Sequence, residues 1–280
     1  MKSNTKHPLP ILLFACSAVF CLPNASFADE TCRTLATKLA NLDVDKGTEL
    51  VNSRVDKPYS TLYAECDRLN TFNGHSLPRL GDRRLKCSTD ANHVDFIRQF
   101  PDGTIVFRSK TGVDADGSPV SQSPNRSPAD QPHTSLTYDT GQNDFVNAED
   151  VSFVVTPLTS TTFRTSFKQD TGIRLGDLAV VIKDERCSFG LVADEGPAFR
   201  IGEASIKTHE DLGNPQCKTP GEHPCMKLKA GGSGVGIASG ITFILFPQSR
   251  PNPLNAATVS AVTGEKGAAK TTEFLSKFQH

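Results

Sequence analysis

Apolar positions change their spacing along the chain, and the change divides it into segments. Near the start of the mature part, Leu35, Leu39 and Leu42 recur at steps of four and three, which places them on one helix face. Thr61 to Leu69 fits a second helix. Two short helices bury little surface alone, so residues 29–90 are expected to form a helical extension held on the main domain by disulfides. From about residue 95 the apolar runs become short and β-branched or aromatic, bounded by Gly, Pro, Asp and Asn. Thr104 to Ser109, Val151 to Val155, Leu178 to Ile182, Ser188 to Ala193 and Ile241 to Phe246 are the strand candidates. Lys183-Asp184-Glu185-Arg186 makes a polar hairpin connection between the third and fourth. Residues 117–144 read as a long loop, the kind of segment that tends to carry function.

One helix is expected inside this β region, starting near Glu203 or Ser205 and ending at Leu212 before Gly213. The glycine-rich run Gly231 to Gly240 lacks the Gly-Lys-Ser/Thr ending of a phosphate loop and reads as a turn into a strand. Residues 251–280 are expected to be an irregular tail, with a short helix over Thr271 to Phe278. The main domain is then residues 91–250.

Residues 1–28 have the layout of an export signal. A basic start (Lys2, Lys6) leads into an apolar run from Ile11 to Leu22 and a small-residue site at Ala25-Ser26-Phe27-Ala28. That run is short for a membrane span, which needs roughly 20 apolar residues. A secreted protein, extracellular or periplasmic, with no membrane attachment after signal removal, is expected. Six cysteines remain after Asp29, and an even number in an exported chain argues for disulfides. Six allow 15 pairings; Cys217 with Cys225 is the local candidate, because prolines and a Pro-Gly pair let the chain turn back. There is no Cys-x-x-Cys pair, and His209 and His223 lack zinc spacing and read as surface histidines. No metal and no cofactor is expected.

Charge is unevenly spread. Residues 88–212 carry 11 basic and 19 acidic side chains, while residues 213–280 carry 7 and 3. An acidic middle disfavours nucleic acid, whose phosphates require Lys and Arg, and suits a polycationic partner.

The segment from Leu175 to Leu212 holds the sharpest chemistry. Asp194 leaves an apolar strand, Gly196-Pro197 turns the chain, and Glu203 stands nine positions later where regular structure resumes. Glycoside hydrolysis needs such a pair, one carboxylic acid and one carboxylate with separated pKa values, and Leu191 and Val192 beside Asp194 would raise its pKa. Spacing alone favours a turn-forming Asp and a helix-capping Glu over a catalytic pair. Asp114 and Asp116 read as a tight turn after the first strand, or as an auxiliary pair binding ammonium groups. The calcium-loop reading fails because Asn125 occupies the twelfth position.

Leu175-Gly176-Asp177, Ala193-Asp194-x-Gly196-Pro197 and Ile201-Gly202-Glu203-x-Ser205 together resemble the fungal-type chitosanases, glycoside hydrolase family 75. Asp114 to Pro119, Phe145 to Glu149 and Phe243 to Pro247 extend the similarity over roughly residues 103–249. The resemblance implies that Asp194 and Glu203 are the essential carboxylates of an inverting endo-acting hydrolase of β-1,4-linked glucosamine polymers. Asp194 is then assigned as acid and Glu203 as base, with Asp114 and Asp116 binding substrate. A monomer acting on chitosan is expected. The same stretch is similar to the double-psi barrel of expansin-like and RlpA-like proteins. That similarity implies a mainly β fold, a small six-stranded double-psi-like β-barrel with one inserted helix. It also leaves two alternatives, a peptidoglycan-acting glycosidase and a non-catalytic wall-binding module. Aromatic residues suited to stacking on sugars are few, with no Trp and only Tyr59, Tyr63 and Tyr138 as tyrosines.

Overall fold

The computed structural model describes residues 27–87, 94–124, 130–141, 143–229 and 236–280. The expected signal segment lies outside them except for its last two positions. Asn125 and the first half of the glycine-rich run also lie outside.

Eight strands form one sheet: β1 (Thr48–Glu49), β2 (Phe96–Gln99), β3 (Ile105–Asp114), β4 (Phe153–Pro157), β5 (Leu178–Lys183), β6 (Arg186–Gly196), β7 (Glu203–Ser205) and β8 (Ile237–Leu245). Their order is β1-β2-β3-β7-β4-β6-β5-β8, and β8 pairs back onto β3. Six strands therefore close into the expected mixed barrel, with β1 and β2 appended to β3. Two pairs are parallel, β4 with β6 and β3 with β7; the rest are antiparallel.

The period-two pattern explains the closure. Phe107, Val154, Ala179, Val181, Val192, Ala204, Ile241 and Phe243 share one buried cluster, and the rings of Phe107 and Phe243 stack at 4.5 Å. The alternate positions Val106, Val180, Ile182 and Ile244 belong to a second cluster. That face is covered by α1 (Phe27–Ala40) and by α6 (Val259–Lys277), and Cys32 on α1 is bonded to Cys187 on β6.

The irregular tail expected over residues 251–280 is thus mostly a 19-residue helix. Prolines stop at Pro253, and Gly267 lets α6 approach so closely that a Cβ there would lie 3.1 Å from Phe189. Helix packing won over composition.

The N-terminal extension contains its two helices, with α2 running Tyr59–Leu69, but also β1 and three two-residue ribbons. It is part of the main core: Tyr59, Leu62, Tyr63 and Phe72 join the same buried cluster as the barrel interior. The Cys66–Cys87 bridge closes it, and Cys217–Cys225 pairs as expected from the local turn. The long loop includes one helical turn, α3 (Pro119–Gln122), and a second short helix, α4 (Phe167–Thr171), follows β4. No helix among the described residues is long and apolar enough to cross a membrane.

Candidate active site

The inserted helix was expected to start near Glu203 or Ser205, and Ser205 is its N-cap: α5 (Ile206–Asp211) follows it, and the Ser205 hydroxyl accepts a hydrogen bond from Thr208 N at 3.1 Å. Glu203 lies on β7. Asp194 lies within β6, two residues before its end. The strand β4 brings the two together. Val155 is the register partner of Asp194 on one side and of Glu203 on the other. This depends on an irregularity in the β4–β6 pairing: between Val154 and Val155, β6 advances two residues, from Val192 to Asp194. Such bulges re-aim a side chain, and here the bulge sets Asp194, not Ala193, beside Val155.

On the far side of β7, Glu203 pairs with Gly112 and Ser205 with Asp114. The turn that follows carries Asp116, whose backbone N–H donates to Asp114 Oδ1 at 2.8 Å. Gly117 is required in this turn: its φ is +78° and a Cβ would come within 2.3 Å of the Val146 carbonyl. The outcome is that Asp114, Asp116 and Asp194 present carboxylate oxygens within 4.8 Å of one another. All four residues singled out from the sequence thus meet at one end of the barrel.

Their environments differ. Asp194 is buried, and its Oδ1 accepts from the Ser135 backbone N–H at 2.7 Å and from the Ser135 hydroxyl. Asp116 is hydrogen-bonded side chain to side chain with Asp194 and accepts from Gln131 N at 2.7 Å. Loss of water pushes the Asp116 carboxyl up to about 8; the Gln131 N–H opposes this, and the charges of Asp194 and Asp130 add to it. Asp114 is also raised well above the carboxylate range, by lost hydration first and then by the charges of Asp116, Asp194 and Glu203. Two carboxyl groups joined by a hydrogen bond need a proton between them. Burial and like charge act together on Asp114 and Asp116, for which the sequence held no such expectation.

Glu203 is partly exposed and pairs with Arg200 Nη1 at 3.2 Å. Gly196 leaves it room: a Cβ there would lie 3.0 Å from Glu203 Oε2 and 2.9 Å from Val155. The three clustered aspartates are close enough to share a hard cation.

Ser135, Gln131 and Arg200 carried no signal in the sequence, since each acts through a contact closed by the fold. A fourth feature is the ring pair His133–Phe145, stacked at 4.4 Å, two residues from Ser135. Tyr59, Tyr63 and Tyr138 are all buried, so no tyrosine offers an open ring. Asp177 is buried and accepts from the N–H groups of Arg174, Ser249 and Arg250, which holds the turn before β5. His223 is exposed, but His209 is not a surface residue. It is fully buried on α5 and contacts the Gly112 carbonyl at 2.9 Å; burial pushes its imidazole down to about 4. No model of a known protein family and no curated protein matches the chain.

Proposed function

We propose that this protein is an exported glycoside hydrolase that cleaves β-1,4-linked glucosamine polymers with inversion, using Asp194 as acid and Glu203 as base. The observation that carries the reading is the placement of Asp194 and Glu203 on opposite edges of β4, beside a carboxyl group held protonated near neutrality. Two inter-strand steps separate their backbones by roughly 9–10 Å. That spacing suits an inverting pair with a water between carboxylate and sugar, for which the carboxyl groups stand about 6.5–9.5 Å apart, against about 5 Å in retaining enzymes.

Asp116 holds the proton of its hydrogen bond to Asp194 and passes it across that bond, and Asp194 delivers it to the glycosidic oxygen as the C–O bond breaks. Glu203, paired with Arg200, takes a proton from water while the water oxygen bonds to the anomeric carbon. Glu203 then releases its proton to solvent and the Asp116–Asp194 pair takes one up, which restores both groups. Asp114 and Asp116, protonated near neutrality, contact the substrate as hydrogen-bonding groups, and the His133–Phe145 pair offers a ring on which a sugar can stack. The acidic excess of residues 88–212 favours a cationic polymer. The leader-like start of the chain and its three disulfides support export.

The test is incubation of the purified mature protein with chitosan, chitin and peptidoglycan, reading released oligosaccharides and their first anomeric form by NMR. Chitosan oligomers appearing first as α-anomers are expected. Release from peptidoglycan alone would assign the site to the other polymer, and no release from any polymer would remove the catalytic reading.

A further inference from the structure

Residues 68–87 carry five basic side chains, Arg68, Arg79, Arg83, Arg84 and Lys86, against one acidic, Asp82. The fold brings Arg79 and Arg84 together. Arg79–Leu80 and Arg83–Arg84 form an antiparallel ribbon in which Arg79 stands directly opposite Arg84. Like charges directly opposed destabilise a strand pair, and none of Arg68, Arg79 and Arg84 is ion-paired with a carboxylate among the described residues. Their hydrogen bonds go to main-chain oxygens. Arg79 donates to the Asp82 carbonyl at 2.9 Å and Arg68 to that of Ala64 at 3.3 Å, contacts that orient a guanidinium without neutralising it. Arg68, Arg79, Arg84 and Lys86 are all exposed.

The frame beneath them is fixed. The Cys66–Cys87 disulfide joins α2 to the exit of the ribbon with a Cα–Cα distance of 5.5 Å. Cys87 N donates to Asn70 Oδ1 at 2.9 Å, and Leu85 N to the Pro78 carbonyl at 2.9 Å. Like charges are therefore held together by covalent and main-chain bonds rather than left to spread apart. The chain as a whole has a formal net charge of −1, so the patch is a local feature and not a reflection of overall charge.

We propose that this arginine ribbon, with Arg68 and Lys86, is a docking surface for a phosphate-bearing polyanionic polymer. Guanidinium groups bind phosphate oxygens in pairs, and a polymer supplies several phosphates to one rigid row of them. A membrane surface fits less well, because Asp82 sits at the ribbon tip beside Leu80 and would face the anionic headgroups. The surface adjoins the candidate active site, since the Lys86 carbonyl accepts from Arg200 Nη2 at 3.4 Å and Arg200 pairs with Glu203. A polyanion bound here would hold the protein in place with the carboxylate cluster next to it. This inference does not depend on the reaction proposed above.

The test measures binding of the full mature chain to fluorescent long-chain inorganic polyphosphate across a salt series. Binding at low salt is expected, weakening as salt rises. Arg79→Gln/Arg84→Gln should reduce the slope of log affinity against log salt by about two, and Arg68→Gln, on a different element, by about one. Lys266→Gln/Lys270→Gln on α6 removes the same charge elsewhere and should leave the slope unchanged. The proposal is overturned if the unaltered protein does not bind, if the α6 pair weakens binding as much as the ribbon pair, or if phosphatidylglycerol vesicles bind more tightly than polyphosphate.

Discussion

Asp194 and Glu203 are register partners of the same residue, Val155, on opposite edges of its strand. Their separation is therefore set by the sheet and not by the loop that joins them in sequence. Gly196 and Glu203 meet behind this arrangement, and the contact makes Gly196 a test of it. Gly196→Ala adds one methyl group 3.0 Å from Glu203 Oε2. A displacement of about 1 Å at a catalytic group costs on the order of 10²-fold in rate, so kcat on chitosan is expected to fall by about that factor while the protein stays folded. Unchanged kcat would show that the carboxylate position is not critical.

A second expectation concerns pH and stability. Asp116 titrates at about 8 when folded, against 3.8 for the free side chain. Between these values the folded chain holds a proton that the unfolded chain has lost, so stability falls as pH rises, by about 1.4 kcal/mol per pH unit for one proton. Asp114 is shifted in the same direction. His209 acts oppositely below pH 6.5, being neutral when folded down to about 4. Urea unfolding at pH 6.5 and at pH 8 isolates the carboxyl groups. The native protein should be less stable at pH 8, and Asp116→Asn should flatten that decline. The same decline in both would show that Asp116 is ionised in the folded state.

Disulfides should differ in weight. Cys32–Cys187 spans 155 residues and Cys217–Cys225 spans 8. Loop-closure entropy then predicts a loss of about 5 kcal/mol when the first pair is replaced by alanines, and about 2.5 kcal/mol for the second. Denaturant midpoints of the two variants provide the comparison, and an equal or reversed order would contradict it.

Phe145→Ala removes one ring of the stacked pair near Ser135. If that surface holds a sugar, KM for chitosan should rise several-fold with kcat nearly unchanged, as expected when binding alone is lost. An unchanged KM would place the substrate elsewhere.

Much of this architecture was legible because both faces of the central strands are apolar. Leu178 to Ile182 and Ile241 to Phe246 stand out as runs, and the barrel uses alternate residues of each inside and outside. Strands with little apolar content were not visible: Phe96–Gln99 has two polar residues of four, and Glu203–Ser205 is only three long. The helix over Val259–Lys277 was hidden by small residues whose value lies in close packing on Phe189. Asp194 and Glu203 could be named from their motifs. That Asp114 and Asp116 join them follows from the parallel pairing of β3 with β7, a long-range contact with no local signal. Ser135 and Arg200 act through partners 59 and 3 positions away, and His209 through a carbonyl 97 positions away, so residue type alone did not reveal them.

The central claim is that Asp194 and Glu203 divide acid and base work across β4. Single-turnover or steady-state rates on chitosan for Asp194→Asn and Glu203→Gln, each with the fold checked by circular dichroism, test it most directly. Each substitution preserves shape and removes an ionisable group, and general acid or base catalysis contributes roughly 10²- to 10⁴-fold. Each variant should therefore lose activity by at least about 10²-fold while remaining folded, and Glu195→Gln and Asp177→Asn should keep most of theirs. A folded Glu203→Gln protein that cleaves chitosan at a near-normal rate would contradict the account.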